Sequence, residues 1–193
     1  DEGRDRDGSM LWALARDAAP RLGDDPAHDL SHCLRVALGT IRIGGDAVEP
    51  RHAIAAALLH DVVNLPKDSE QRASAGVASE SVARELLPRH GFSEAETELI
   101  GHAVRDHSFS RGATPETPLG KALQDADRLE ALGAIGLTRC FLTGVRMGAA
   151  PFDPEDPFAE RRALDERRWS VDHFFVKLFG LPETMQTEAG RAE

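Results

Sequence analysis

The chain has 193 residues, 41% of them apolar, and a formal charge of −10 at pH 7; this length fits one domain with a sizeable core, and the acidic balance argues against broad electrostatic binding to nucleic acid or anionic membranes. Its two cysteines, Cys33 and Cys140, form no CxxC pair, so neither a disulfide framework nor a thiolate zinc site is indicated. No apolar stretch approaches the roughly 20 residues of a membrane span, and the charged start has no secretory apolar region, which makes a cytoplasmic protein the expectation.

Residues 1–9 read as a disordered or vector-derived tail, with ordered structure from Met10 onward. Asp25-Pro26 has the form of an N-cap followed by proline, and Leu30, Leu34, Ala37, Leu38 and Ile41 recur at helical spacing until Gly44-Gly45. This predicts an amphipathic helix that carries His28, Asp29 and His32. Pro50 opens a second helix, whose apolar run from Ala53 to Leu59 delivers His60 and Asp61 before Asn64-Leu65-Pro66 stops it. A polar loop over 67–72 leads to a helix from Ser74 to Leu87. Ser93 and Glu96 have the spacing of a capping box, followed by a helix with Leu99, Ile100, Ala103 and Val104 that carries His102 and approaches His107. Leu119 to Gly133 reads as another helix, bearing Asp125, Asp127, Arg128 and Glu130. Gly133, Gly136, Gly144 and Gly148 either break the segment they punctuate or permit close helix contact. Pro151 to Pro157 is a connector, and a last helical region around Val171 to Phe179 packs back on the body. With no period-two strand of useful length, the fold class is all-α.

His60 and Asp61 interrupt an otherwise apolar run. A buried ionised carboxylate must be solvated, paired, hydrogen-bonded or bound to a cation, because its isolated burial costs several kcal/mol or more. Near a helix end, two adjacent side chains reach one ion. His32, His60, Asp61 and Asp127 lie on three separate predicted helices, and two imidazoles with two carboxylates suit a divalent metal. Blander readings compete. A lone histidine such as His32 is more often a satisfied core or surface residue, Asp61 can cap its helix or pair with Arg35, and Asp125 rivals Asp127.

These residues resemble the HD-domain metal-dependent phosphohydrolases, whose pattern is a histidine, a later His-Asp pair and a distant aspartate. The matching pieces are His32 in His-Asp-Leu-Ser-His-Cys-Leu-Arg-Val, His60-Asp61 in Leu-Leu-His-Asp-Val-Val, and Asp127 in Asp-Ala-Asp-Arg-Leu-Glu-Ala-Leu-Gly. They cover about residues 20–145, and the tail from Met185 to Arg191 is similar to a predicted-hydrolase branch of that family. The resemblance implies a single-domain helical bundle over 10–193, with His32, His60, Asp61 and Asp127 as ligands of one divalent ion, or of two, drawn from Mn, Fe, Ni, Zn and Mg. Within Asp125-Ala126-Asp127 it places the ligand immediately before Arg-Leu. The implied reaction is hydrolysis of a small phosphorylated compound, with a nucleotide first among the candidates and Asp61 able to accept the water proton.

Other residues are candidates around that centre. His102 and His107 flank Arg105-Asp106 and suit a second metal, substrate orientation or protonation of a leaving group; ordinary surface histidines are the alternative. Lys67, Arg72 and Arg128 are candidate phosphate contacts, against solvated-loop and ion-pair readings. Cyclic-nucleotide phosphodiesterase and alarmone hydrolase are further readings, the second weakened because Asn64-Leu65 stands where such enzymes carry Glu-Asp. A metal-stabilised helical module that binds a nucleotide or a partner without turnover is the non-enzymatic alternative. No polymeric nucleic acid or membrane partner is expected, and a homodimer is left open because Phe174 to Phe179 suits a core as well as an interface.

Overall fold

The computed structural model describes residues 2–22, 29–63, 74–108 and 111–193. Within them the chain is helical, and an isolated bridge between Ala150 and Trp169 is the only strand-like pairing. No helix of the described residues is long and apolar enough to cross a membrane. The expectation of an all-α chain is met.

Helix α1 (Glu2–Ala18) begins far earlier than the sequence suggests. Over residues 2–9, where the sequence suggests an unstructured tail, the helix runs back from an anchored half in which Leu14, Ala15 and Ala18 are buried. Once such a turn is fixed, adding residues is cheap, and an ion pair between Asp7 and Arg51 at 3.3 Å ties the added part to the body. Helix α2 (Leu30–Gly44) starts after Asp29, whose carboxylate accepts from the His32 amide at 2.9 Å, rather than after Asp25. Its inner face is His32, Cys33, Val36, Ala37, Thr40 and Ile43, whereas Leu34 and Leu38 are exposed. Two apolar stripes of helical period overlap in this segment, and packing rather than hydrophobicity chose between them.

Helix α3 (Pro50–Leu59) is the centre of the molecule: it packs against α1, α2, α4 (Ala75–Arg89), α5 (Glu94–Asp106) and α6 (Pro118–Leu129). A helix with five neighbours needs small side chains on most of its surface, which is what Ala53, Ala55, Ala56 and Ala57 provide, with Leu58 and Leu59 filling the remaining space. Helices α4 and α5 form an antiparallel pair, and the capping box expected at the start of α5 is present in both directions between Ser93 and Glu96. Helix α6 lies across α2, α3 and α5 and is buried along most of its length.

A helix α7 (Gly133–Arg146) does form across the glycines. Gly144 lies so close to Ser170 that a Cβ would sit 2.1 Å from its hydroxyl, so close contact, not helix breaking, is its role. The short helices α8 (Asp172–Val176) and α9 (Glu188–Ala192) complete the chain. Helix α9 is fastened to α6 by Asp125, which has no solvent exposure and accepts from Gln186 N at 2.7 Å, Thr187 N at 2.8 Å and Thr187 Oγ1 at 2.7 Å.

Candidate metal centre

The ends of three helices and the start of a fourth converge at one point. His60 caps the C-terminus of α3 and His107 that of α5; each bends back so that its Nδ1 meets the carbonyl three residues earlier, Ala57 O at 2.7 Å and Val104 O at 2.6 Å. A carbonyl only accepts, so both rings carry a proton on Nδ1, and in the neutral form each leaves Nε2 bare. His32, in the first turn of α2, lies between two carboxylates, with Nδ1 3.4 Å from Glu130 Oε2 and Nε2 3.5 Å from Asp127 Oδ1. All three Nε2 atoms therefore face inward. His32 Nε2 and His60 Nε2 are 3.2 Å apart, and Asp127 Oδ1 lies 3.5 Å from the first and 3.8 Å from the second. On the other side of His60, Asp61 Oδ2 is 3.5 Å from its Nε2 and Asp61 Oδ1 is 3.4 Å from His107 Nε2.

Two overlapping groups result, His32, His60 and Asp127, and His60, Asp61 and His107, with the donor atoms of each group within 4.8 Å of one another. These donors fit a divalent ion. Ligands at about 2.1 Å in tetrahedral or octahedral geometry lie about 3.0–3.4 Å from their neighbours, close to the observed spacing. Two Nε2 lone pairs facing each other at 3.2 Å are also repulsive unless a cation, a metal or a proton, lies between them.

The electrostatics agree. Burial, with no solvent exposure of the ring, drives His60 down to about 4 despite the attraction of Asp61 and Asp127, so its ring is neutral near pH 7. Burial also pushes His32 and His107 down, but carboxylates outweigh it: Asp127 and Glu130 raise His32, and Asp61 raises His107. Asp127, against the effect of its own burial, is held well below the usual carboxylate range by His32 and His60. The imidazoles are sealed inside, whereas Asp61 and Asp127 keep 16% and 24% exposure, so the carboxylate side is the approach to the centre.

The structure thus brings together His32, His60, Asp61 and Asp127, and adds His107 as a fifth donor. His102 is half-buried, about 140° around α5 from the direction of His107, and belongs to neither group. Arg128 donates from Nη1 to the Thr184 carbonyl and so holds the C-terminal segment. Lys67 and Arg72 lie outside the described residues. Asp125 is occupied by the backbone of Gln186 and Thr187, and Arg35 pairs with Glu130 rather than with Asp61. Glu130 escapes the sequence reading; its one signal is a spacing of three residues from Asp127, which places both on one face of α6. A groove of about 580 Å³ runs along the outside of α2 and α6 between Arg35, Leu38, Arg42 and Leu129, and none of the five donors lines it.

The fold and the donor set define a class. The HD domain family model matches residues 29–132, a span that contains all five donors, and the chain belongs to that family. Among its relatives, the uncharacterised protein YpgQ of Bacillus subtilis is 30% identical over 173 residues, which cover 87% of this chain and 76% of YpgQ. The crystal structure of YpgQ in complex with ADP has a TM-score of 0.70 at 25% identity, covering 94% of this chain and 86% of that one. An HD-superfamily hydrolase of Bacillus thuringiensis is 28% identical with a TM-score of 0.65, covering 96% and 87% of the two chains.

Proposed function

We propose that this protein is a metal-dependent phosphohydrolase whose substrate is a small phosphorylated compound, a nucleotide before others. The observation that carries the reading is the convergence of three Nε2 atoms, all with Nδ1 engaged on the outside, on two carboxylates that remain partly open to solvent. His32, His60, Asp61 and Asp127 would hold one divalent ion, and His107 with Asp61 would complete a second position. A bound divalent ion supplies Lewis acidity toward a phosphoryl oxygen and acidifies water to a pKa of about 7.

The chain's own groups do the rest. Asp61, anchored between His60 and His107 at 3.5 and 3.4 Å, presents its carboxylate toward solvent, where it accepts the proton of an attacking water. The neutral His60 keeps the centre less negative than an all-carboxylate cage, which eases the approach of an anionic substrate. His107, raised by its carboxylate neighbours, is the other group able to move a proton. The ADP complex of YpgQ supports the choice of a nucleotide as the first substrate class to test.

The test is a panel of nucleoside mono-, di- and triphosphates, cyclic nucleotides and simple phosphate esters, each with Mn²⁺, Ni²⁺, Zn²⁺ or Mg²⁺, with products resolved as orthophosphate or pyrophosphate. Product release with any metal is the expected result. Ligand-induced thermal stabilisation without product from any compound would instead assign the protein as a binding module.

A further inference from the structure

One helix holds both edges of one imidazole. Asp127 and Glu130, three residues apart at the end of α6, bracket His32: Asp127 Oδ1 is 3.5 Å from Nε2 and Glu130 Oε2 is 3.4 Å from Nδ1. Glu130 is itself fastened twice. Arg35, one turn after His32 on α2, donates from Nε to the same Oε2 at 2.8 Å, and Arg139 on α7 donates from Nη1 to the Glu130 carbonyl at 3.1 Å. Arg35 is braced in turn against Ser31 Oγ at 3.1 Å.

The reason His32 needs such a partner lies in its position. His60 and His107 sit at helix C-termini, where unpaired carbonyls are available to take an Nδ1 proton. His32 sits in the first turn of α2, where the backbone offers N–H groups; the Asp29 carbonyl three residues earlier already accepts from Cys33 N at 3.2 Å. The acceptor beside its Nδ1 comes from the end of another helix, Glu130 of α6.

We infer that Glu130 is a positioning residue of the metal centre: fastened by Arg35, its carboxylate accepts the Nδ1 proton of His32 and so fixes the ring rotation and the tautomer that leave Nε2 directed at the ion. The inference rests on reading the cluster as a metal centre, and it extends that reading to a residue outside the donor set. Acceptors of this kind behind ligating histidines carry 10- to 100-fold in metal affinity.

The experiment is isothermal titration calorimetry of chelator-stripped wild type, Glu130→Ala and Glu130→Gln with Mn²⁺, Ni²⁺ and Zn²⁺ singly, beside thermal unfolding of the metal-free proteins. Glu130→Ala is expected to weaken metal binding by about 10- to 100-fold. Glu130→Gln keeps a neutral acceptor oxygen and is expected to recover part of that loss. A lower melting temperature with wild-type metal affinity in both variants would overturn the inference, because a merely structural role predicts that pattern. Calorimetry requires no turnover: wild type that binds metal but hydrolyses nothing refutes the phosphohydrolase reading alone, and undiminished binding by the variants refutes the role of Glu130 alone.

Discussion

Replacing Asp125 and Asp127 in turn by Asn separates two carboxylates that are two residues apart and have different roles. Asp125 has no solvent exposure, and three donors from the C-terminal segment converge on it at 2.7–2.8 Å. Asn at this position retains one acceptor oxygen, best turned to Thr187 N and Oγ1, and then points its NH₂ at Gln186 N, donor against donor. One bond to a charged acceptor is lost, at about 1.5–3 kcal/mol, and a buried amide is left unpaired, at about 1–3 kcal/mol, for a total of about 2.5–6 kcal/mol. Gly190 leaves no room for rearrangement, since even a Cβ there would lie 2.4 Å from Asp125 Oδ2. At about 2–4 °C per kcal/mol for a chain of this size, Tm falls by about 5–24 °C. Thermal unfolding with chelator present and metal titration below Tm are the assays. Asp125→Asn should lose stability and keep metal affinity within about threefold of wild type, because its carboxylate belongs to α9 and not to the ion. Asp127→Asn should do the reverse and lose metal affinity by more than about tenfold. Loss of metal binding in Asp125→Asn without loss of stability would refute the assignment.

Three further outcomes are expected. Burial pushes Glu96 up, but hydrogen bonds from His52 and Ser93 and the Arg51 guanidinium outweigh it and hold the carboxyl at about 2, against an ordinary 4.5. A depressed value stabilises the fold above the ordinary pKa and loses that effect as pH falls from 4.5 toward 2; with solvent screening the contribution is about 1–2 kcal/mol. The urea midpoints of wild type and Glu96→Gln should therefore converge between about pH 5 and pH 2.5, and a gap independent of pH would contradict the ion pairing. The Cys33 thiol, pushed up to about 12 by burial and by the carboxylates of Asp61, Asp29 and Asp127, should resist a thiol reagent at pH 8 in the Cys140→Ser protein until urea is added; rapid labelling of the folded protein would show that α2 opens. His107→Ala should weaken metal binding by at least about tenfold while His102→Ala changes it by less than about twofold, and equal losses would place His102 at the centre after all.

Much of this arrangement was written in local signals. The apolar run from Ala53 to Leu59 marked α3 as a buried helix, and its abrupt end at His60-Asp61 marked the place where a half-buried carboxylate needed a partner. Ser93 with Glu96 marked the start of α5, and the structure contains both halves of that cap. What escaped depends on tertiary choice. Leu34 and Leu38 fit the helical period of α2 as well as Cys33 and Val36 do, and only contact with α3 and α6 decides which pair is covered. The charged segment before Met10 has no apolar stripe of its own and is helical because α1 continues into it. His107 rather than His102 reaches the centre because a C-terminal cap turns its ring back onto Val104 O, a feature of backbone geometry that spacing does not encode. Glu130 and Arg128, neighbours in the same motif as Asp127, differ in role because the first faces α2 and the second faces the C-terminal segment.

The most direct measurement is phosphate release from nucleotides by chelator-stripped protein to which a single divalent metal is restored, in wild type and in Asp61→Ala. Wild type should be inactive without metal and active with at least one of Mn²⁺, Ni²⁺, Zn²⁺ or Mg²⁺, and Asp61→Ala should remain folded and lose activity by at least about 100-fold, as expected of a group that both holds the ion and takes a proton. Absence of product with every metal and every nucleotide, or an Asp61→Ala protein that turns over at the wild-type rate, would contradict the assignment of this cluster as a hydrolytic metal centre.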